Sequence, residues 1–342
     1  MLKKVYLHIG LEKTGTTAIQ GFLNQNRGSL TQNFNVLFPK FEEDATAIDS
    51  NHRIAKLFIP NKNIAAHHKV VSLTAFEELL KSFEENSDFH TLILSSELFS
   101  YSTVSEIRAL KVSLQNFDVT VILYLRRQDD YLESSYDQHV KQIWIHGKPP
   151  LNAEIFHNST KLNFHQFILC WFENGFENID LKIYNKSKEK DFIFKQFFEN
   201  INISILKNET IEVKKHTTNP SLSLFHKLLI TLYLPKINDE DLRRTTADLI
   251  FKHNMSFAPL LKSHSKSYYT KQFKIELLEK YEKSNIEILK MFPNSGFSKD
   301  SLFNPVKDYE KPLSINDLTK DQIMMYFFNL LLFLIKKFDN KK

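Results

Sequence analysis

The fold is decided by the stretch Val5-Tyr-Leu-His-Ile-Gly10-Leu-Glu-Lys13-Thr-Gly15-Thr-Thr17. It starts with a short apolar run that ends at a glycine, which is typical of a buried strand followed by a turn. From Thr16 to Asn26 the apolar residues recur at helical spacing. The stretch therefore predicts a strand, a tight loop and a helix in immediate succession.

The rest of the chain extends this pattern. Apolar segments at 91–95, 119–125 and 179–184 predict further strands, and helical spacing fills much of the sequence between them. Strands that alternate with helices indicate a parallel sheet with helices on both faces. We therefore expect an α/β protein: a three-layer, P-loop-like domain with a central parallel sheet over 1–305, and a helical extension over 306–342.

Composition excludes several classes of protein. Of 342 residues, 42% are apolar and 13% aromatic, which excludes a disordered chain, and only 7 are glycine, which excludes a collagen-like one. A net charge of +5 is too small for a typical nucleic-acid binder. Cys170 is the single cysteine and lies in an aromatic run, so we expect a core residue rather than a nucleophile. His8, within the first strand, is expected to be a core histidine with satisfied hydrogen bonds.

Two segments bear on location. The apolar run that begins at Val5 is too short for a signal peptide, so we expect a cytoplasmic protein. The 13 residues of the apolar run at 323–335 are fewer than the ~20 that cross a bilayer. They predict a helix that packs on the core. The alternative is a peripheral contact with the inner membrane, because four lysines follow.

The loop after the first strand has the spacing of a phosphate-binding loop. Gly10 and Gly15 are separated by four residues, and a helix follows, so backbone N–H groups would face an anion. Nucleotide-hydrolysing P-loops place a lysine directly after the second glycine, where this chain has Thr16. Lys13 instead precedes Gly15 by two residues. The alternative is an ordinary strand-to-helix turn with a surface lysine.

A second cationic position follows the strand at 119–125. This strand ends at Arg126-Arg127, and Ser134 lies eight residues after Arg126. An arginine fork suits a phosphate, and a helical hydroxyl adds a hydrogen bond. Arg127 with Ser135 has the same spacing and stays an open alternative. No strand end offers the carboxylate that would hold magnesium, so we expect no metal.

Together these features resemble the sulfotransferases that use 3′-phosphoadenosine 5′-phosphosulfate (PAPS), in particular bacterial carbohydrate-type members. Their first motif, Pro-Lys-(Ser/Thr)-Gly-(Thr/Gly)-Thr, appears here at 12–17, with Glu12 in place of proline. Their second motif is a strand, an arginine, a serine eight residues on and a tyrosine ten residues on. Here these are Arg126, Ser134 and Tyr136.

The resemblance implies roles for individual residues. Gly15, Thr16 and Thr17 would bind the 5′-phosphosulfate, and Lys13 would donate to the oxygen that bridges phosphate and sulfate. Arg126 and Ser134 would hold the 3′-phosphate. The full donor site would comprise Lys13, Thr14, Gly15, Thr16, Thr17, Arg126, Ser134, Tyr184 near the adenine, and Lys215 in a basic loop at 214–220.

The acceptor hydroxyl needs a general base. The resemblance favours Glu97, at the end of the strand 91–95; the alternative is a capping or salt-bridged carboxylate. His52 is the second candidate, unless it is a structural histidine in a loop. The implied enzyme is a bacterial PAPS-dependent sulfotransferase acting on a carbohydrate such as a cell-surface or capsular polysaccharide or a glycolipid. The competing predictions are a P-loop kinase and a non-catalytic nucleotide-binding module; oligomeric state stays open.

Overall fold

A computed structural model describes residues 2–40, 51–59, 70–141, 161–184, 192–199, 201, 211, 224–257 and 267–293, with 324 and 327. These fall into two compact units. The first contains the described residues of Met1–Arg127, Lys161–His216 and Tyr281–Asn304; the second contains those of Gln128–Thr160, Thr217–Lys280 and Pro305–Lys342.

The described elements alternate between strands and helices until β5. In chain order they are β1 (Lys4–His8), α1 (Thr16–Gln25), α2 (Arg27–Phe34), β2 (Val36–Leu37), α3 (His52–Phe58), α4 (Leu73–Glu85), β3 (Thr91–Ser95), a 3₁₀ helix (Glu97–Tyr101), α5 (Val104–Ser113), β4 (Asp118–Leu125), α6 (Gln128–Lys141), α7 (Phe164–Phe172), β5 (Ile179–Ile183), α8 (Phe192–Glu199), α9 (Leu224–Tyr233), a 3₁₀ turn (Leu234–Lys236), α10 (Glu240–Phe257) and α11 (Lys271–Met291).

The first unit is built on a five-stranded sheet of order β2-β3-β1-β4-β5 in which all neighbours are parallel. Successive side chains of a strand point to opposite faces. Tyr6 and His8 on one face of β1, and Val5 and Leu7 on the other, are all buried. A sheet that is buried on both faces is a middle layer, so the predicted α/β fold with a central parallel sheet is confirmed.

Aromatic packing fixes α1 against one face of the sheet. Phe22 of α1 stacks on Phe194 of α8 with ring centroids 4.6 Å apart, and both are buried. Ile19 and Leu23 belong to the same core as Tyr124 of β4. Burying one such side chain stabilises the fold by roughly 1.5–3 kcal/mol. The start of α1, and with it the preceding loop, is therefore held in a fixed position over the sheet.

The strand order reverses between β1 and β4. From β1 the chain continues to β2 and β3 on one side, whereas β4 leads to β5 on the other. In open parallel sheets, ligands bind outside the carboxyl ends of the strands where the order reverses. Here that point lies between the ends of β1 and β4, which are followed by the loop at Lys13 and by Arg126.

The second unit contains a network of charges that are mostly only partly buried. Asp137 of α6 pairs with Lys141 at 2.8 Å and with Lys227 of α9 at 3.1 Å, and it accepts a hydrogen bond from the Tyr268 hydroxyl. Burial raises the pKa of Asp137, but the two lysines and their hydrogen bonds outweigh burial and lower it overall. Glu133, one turn earlier, pairs with Lys274 at 3.1 Å. The cluster therefore ties α6 to α9 and α11 within this unit.

Some elements were not predicted. The second residue of β2 is only partly buried, and no helix was predicted from the sequence at the positions of α2 and α3. His52 is the first residue of α3, so its expected position in a loop is wrong. Cys170 is half-buried on α7. Burial, followed by the charge of Glu173, raises the pKa of its thiol.

The expected C-terminal helix at 323–335 lies almost wholly outside the described residues. Among those that are described, no helix is both long enough and apolar enough to cross a membrane.

Candidate functional site

The loop between β1 and α1 adopts a strained backbone conformation, and the N-terminus of α1 that follows it has no side-chain cap. Lys13 and Gly15 both have positive φ, at 66° and 87°. The Thr14 hydroxyl donates to Leu11 O at 2.6 Å and closes the loop on itself. Gly15 caps α1 without a side-chain hydrogen bond, and the first turn contains no acidic residue. The amide groups of this turn therefore present partial positive charge to an anion.

The threonines predicted to bind the donor differ in exposure. Thr14 and Thr16 are buried at 0% and 4% exposure, whereas Thr17 is exposed. The Thr14 hydroxyl shapes the loop through its bond to Leu11 O. Thr17 is thus the threonine of this loop whose side chain is most open to a ligand.

Arg126 lies against the phosphate loop. Its Nη1 donates to Lys13 O at 3.2 Å, and its guanidinium lies 5.6 Å from the ring centroid of Tyr184. The Tyr184 ring also borders Gly15, since a Cβ on that glycine would lie 3.0 Å from Tyr184 Cε2. The structure thus brings together Lys13, Gly15, Arg126 and Tyr184, which the sequence places on three separate elements.

The remaining donor residues predicted from the sequence are Ser134, with Arg127 and Ser135 as the alternative pair, and Lys215. Ser134 is on α6 in the second unit, whereas Arg126 belongs to the first. Arg127 is buried at 9% exposure. The Ser135 hydroxyl is buried and has no hydrogen-bond partner among the described residues. Lys215 lies outside the described residues, so its role stays a prediction.

The two candidate bases lie side by side at the end of β3. His52 Nε2 is 3.6 Å from Glu97 Oε1, with 12% and 21% of their side chains exposed. His52 Nδ1 is hydrogen-bonded to Ser96 Oγ at 2.7 Å, and Ser96 Oγ also accepts from Leu98 N. This arrangement favours the tautomer in which the Ser96 hydroxyl donates to Nδ1 and the proton on Nε2 faces Glu97.

Gln20 connects this pair to the phosphate loop. Its Nε2 donates to Glu97 Oε2 at 2.9 Å. Gln20 lies one helical turn after Thr16 on α1, which is a rise of about 6 Å. The Glu97 carboxylate is therefore held one turn along the helix whose first turn forms the anion site. Gln20 was not among the site residues predicted from the sequence; its helical spacing from Thr16 was the available signal.

Asn51 explains why His52 lies beside Glu97. The Asn51 side chain accepts from Ser95 N at 2.8 Å, and Asn51 N donates to Ser95 O at 2.9 Å. Asn51 also donates through Nδ2 to Pro39 O at 3.2 Å. These bonds fasten the start of α3 to the end of β3. Nothing in the local sequence indicates this long-range contact.

Glu12 stands where the sulfotransferase motif has proline, and the structure gives it a partner. The Tyr101 hydroxyl, at the end of the 3₁₀ helix, donates to Glu12 Oε1. One residue earlier in this helix, Ser100 donates to Glu97 O at 2.7 Å and accepts from Lys161 Nζ at 2.9 Å. The segment that carries Glu97 is therefore joined to the phosphate loop as well as to α1.

His8 lies beneath the loop and departs from its expected state. It is fully buried, and its Nδ1 is 2.8 Å from Ser95 Oγ. Its Nε2 has no hydrogen-bond partner in the part of the chain that the structure describes. The expectation of a satisfied histidine is therefore wrong at Nε2. Burial lowers the pKa of His8 to about 3, so the ring is neutral at physiological pH.

Within the described ranges, no three histidine, cysteine or acidic side chains are grouped so as to hold a metal ion.

Comparisons with known proteins give distant likenesses. No family model matches the chain. An uncharacterized protein of Archaeoglobus fulgidus is 25% identical over 202 residues, which cover 59% of this chain and 53% of that protein. The chain thus spans about half the length of this relative. The crystal structure of a sulfotransferase from Alicyclobacillus acidocaldarius aligns with a TM-score of 0.39 and 11% identity, over 70% of this chain and 94% of that one.

Proposed function

We propose that the protein transfers a sulfuryl group from PAPS to a hydroxyl group of a carbohydrate. The observation that carries the proposal is the meeting of two anion-binding elements at the reversal point of the sheet. The uncapped start of α1 follows β1, and Arg126 follows β4 and donates to the loop itself. PAPS carries charged groups at both ends of its ribose. Two neighbouring anion-binding positions, the start of α1 and Arg126, can therefore bind one such molecule.

The residues of the first unit suit the donor chemically. The first turn of α1 offers backbone amides to the 5′-phosphosulfate, and the exposed Thr17 hydroxyl adds a donor. Arg126 supplies a fork that matches the 3′-phosphate. Tyr184, within cation–π distance of that guanidinium, offers an aromatic face to the adenine. Ser134 and Lys215 remain predicted additions to this set.

In the proposed reaction, Glu97 takes the proton from the acceptor hydroxyl as its oxygen attacks sulfur. The bond between sulfur and the bridging oxygen breaks, and Lys13 donates to that oxygen as it gains negative charge. Adenosine 3′,5′-bisphosphate leaves. Gln20 and His52 hold the Glu97 carboxylate in place from two sides. A positioned base contributes roughly 10²- to 10⁴-fold, and one charge-stabilising donor about 3–4 kcal/mol.

A carbohydrate acceptor fits the polar surroundings of Glu97. Tyr101 and Ser100 supply hydroxyl groups in the segment that follows β3, and Lys161, which donates to Ser100, supplies an ammonium group. Groups of this kind bind sugar hydroxyls rather than an apolar phenol or steroid. We propose the same polysaccharide or glycolipid class as the sequence resemblance implies, acting in a bacterial cytoplasm.

The test is calorimetric titration with adenosine 3′,5′-bisphosphate in excess chelator, with AMP and magnesium–ATP as comparisons. We expect micromolar binding without metal, and a loss of at least tenfold when the 3′-phosphate is missing. Release of the bisphosphate from PAPS in the presence of a panel of polysaccharides then identifies the acceptor. Preference for magnesium–ATP would replace the proposal with a kinase, and binding without turnover would favour a nucleotide-binding module.

A further inference from the structure

His8 is a buried polar group that the proposed reaction does not use. Its ring packs edge-on against Tyr124 and Phe197, with centroids 5.9 and 5.5 Å away. Only Nδ1 has a hydrogen-bond partner among the described residues, which is Ser95 Oγ. A buried nitrogen without a partner destabilises a fold, and an apolar residue of similar shape would avoid that cost. A function for Nε2 would explain its presence here.

Nε2 lies at the base of the phosphate loop. A Cβ placed on Gly10 would lie 3.0 Å from His8 Nε2 and 2.6 Å from Thr16 Cγ2. The imidazole therefore occupies the space beside Gly10, between the end of β1 and the start of α1. Gly10 is the residue that permits this approach, because any side chain would collide with Thr16 and touch the ring.

We propose that His8 is a positioning residue of the phosphate loop, with its Nε2 acting as a hydrogen-bond donor to the loop backbone around Gly10 when the loop binds an anion. The proposal deepens the function argued above and rests on it only in naming the anion. The Nε2–H group is neutral, so His8 would orient the loop backbone and would not add positive charge to the anion site.

The surroundings of Ser95 support this role. Ser95 is fully buried at the end of β3, and its backbone N–H is held by Asn51 Oδ1. The Ser95 hydroxyl therefore holds a fixed position, and its hydrogen bond to Nδ1 sets the orientation of the His8 ring. When that hydroxyl donates to Nδ1, the ring proton is on Nε2 and faces the loop.

Two substitutions separate the ring nitrogens. Asparagine places its amide where Nδ1 lies, so His8→Asn keeps the bond to Ser95 and removes Nε2. Glutamine reaches to the position of Nε2, so His8→Gln restores a donor there. The readouts are backbone hydrogen exchange over residues 9–19, measured with saturating pyrophosphate present, and the Kd for adenosine 3′,5′-bisphosphate. Amides of β4 serve as the internal control for general loss of stability.

We expect His8→Asn to speed exchange in the loop and to weaken binding by about tenfold, the effect of one hydrogen bond, while exchange in β4 stays unchanged. His8→Gln should recover most of both. Loop exchange within twofold of wild type in His8→Asn would overturn the inference, as would equal losses in the two variants. If wild type binds no bisphosphate, the proposed function fails, and the exchange data still decide the role of His8.

Should either variant fail to fold, nitrogen NMR of the wild-type histidines provides the second test. We expect the His8 Nε2 resonance to be that of a protonated nitrogen and to shift when pyrophosphate is added. An unprotonated Nε2, or one that does not respond while the loop amides do, would overturn the inference.

Discussion

Gly15 offers a direct test of the loop geometry. Its φ of 87° lies in the left-handed region, where a side chain costs about 1–2 kcal/mol. A Cβ at this position would also lie 2.2 Å from Ile193 Cδ1 and 3.0 Å from Tyr184 Cε2. The Ile193 methyl can turn aside, at a rotamer cost of roughly 0.5–1.5 kcal/mol. Gly15→Ala should therefore cost about 2 kcal/mol or more.

This cost divides between stability and binding. If the altered loop keeps its shape, the midpoint of thermal unfolding falls; if it relaxes, the Kd for adenosine 3′,5′-bisphosphate rises. If the whole 2 kcal/mol appeared as weaker binding, the Kd would rise roughly 30-fold. Calorimetric unfolding and calorimetric titration of the same preparation measure both losses, and we expect their sum to account for the strain.

Gly28 provides the matched control. It lies in α2 with no atom within 4 Å of an added Cβ and no positive φ. Gly28→Ala should be neutral or stabilising by up to ~1 kcal/mol, because alanine favours a helix. If Gly15→Ala and Gly28→Ala gave the same midpoint and the same Kd, the loop conformation described above would be wrong.

Four further predictions concern single side chains. Lys13→Ala should lower kcat by roughly 10²- to 10³-fold with a much smaller change in the Kd for the bisphosphate; equal changes would contradict its role at the bridging oxygen. Arg126→Ala should weaken binding of the bisphosphate at least tenfold and leave the affinity for adenosine 5′-phosphosulfate unchanged, which competition titrations can measure. Glu97→Gln should lower turnover by about 10²- to 10⁴-fold with donor affinity kept, and His52→Gln should lower it less; the reverse order would make His52 the base. The pKa of Asp137 is lower in the folded protein than its ordinary value of 3.8. Its carboxylate therefore stabilises the fold at pH values above 3.8, and this stabilisation is lost as the pH falls through the lower pKa of the folded state. Asp137→Asn should remove that part of the acid dependence of the free energy of unfolding, measured with denaturant.

The sequence predicts the elements whose apolar pattern is strong. The β3 prediction matches the observed Thr91–Ser95, and the helix predicted from Thr16 to Asn26 starts at the observed first residue of α1 and ends one residue late. These segments are long or fully buried, so local spacing reports their burial directly. The loop at Lys13 was equally visible, because its glycine spacing reflects a backbone requirement rather than a distant contact.

Other parts of the site depend on contacts that local spacing does not encode. The strand β2 has only two residues and is defined by its pairing with β3, so no period can emerge. The start of α3 is fixed by Asn51, whose side chain bonds to β3 rather than capping its own helix. The place of His52 beside Glu97 follows from that long-range bond, which explains why His52 was predicted to lie in a loop.

Ser95 links the two halves of the candidate site. Its hydroxyl orients His8 under the phosphate loop, while its backbone N–H and C=O hold Asn51 and so place His52 beside Glu97. The donor side and the base side therefore share one fully buried residue.

Removing the Ser95 hydroxyl in Ser95→Ala should disturb the phosphate loop and not the position of His52, because the bonds to Asn51 are made by the backbone of residue 95 and persist in this variant. Donor affinity should fall in that variant while the pH dependence of turnover stays as in wild type, whereas Asn51→Ala should alter the turnover profile with donor affinity kept. If both variants changed the same parameter, the two halves would be coupled by something other than Ser95.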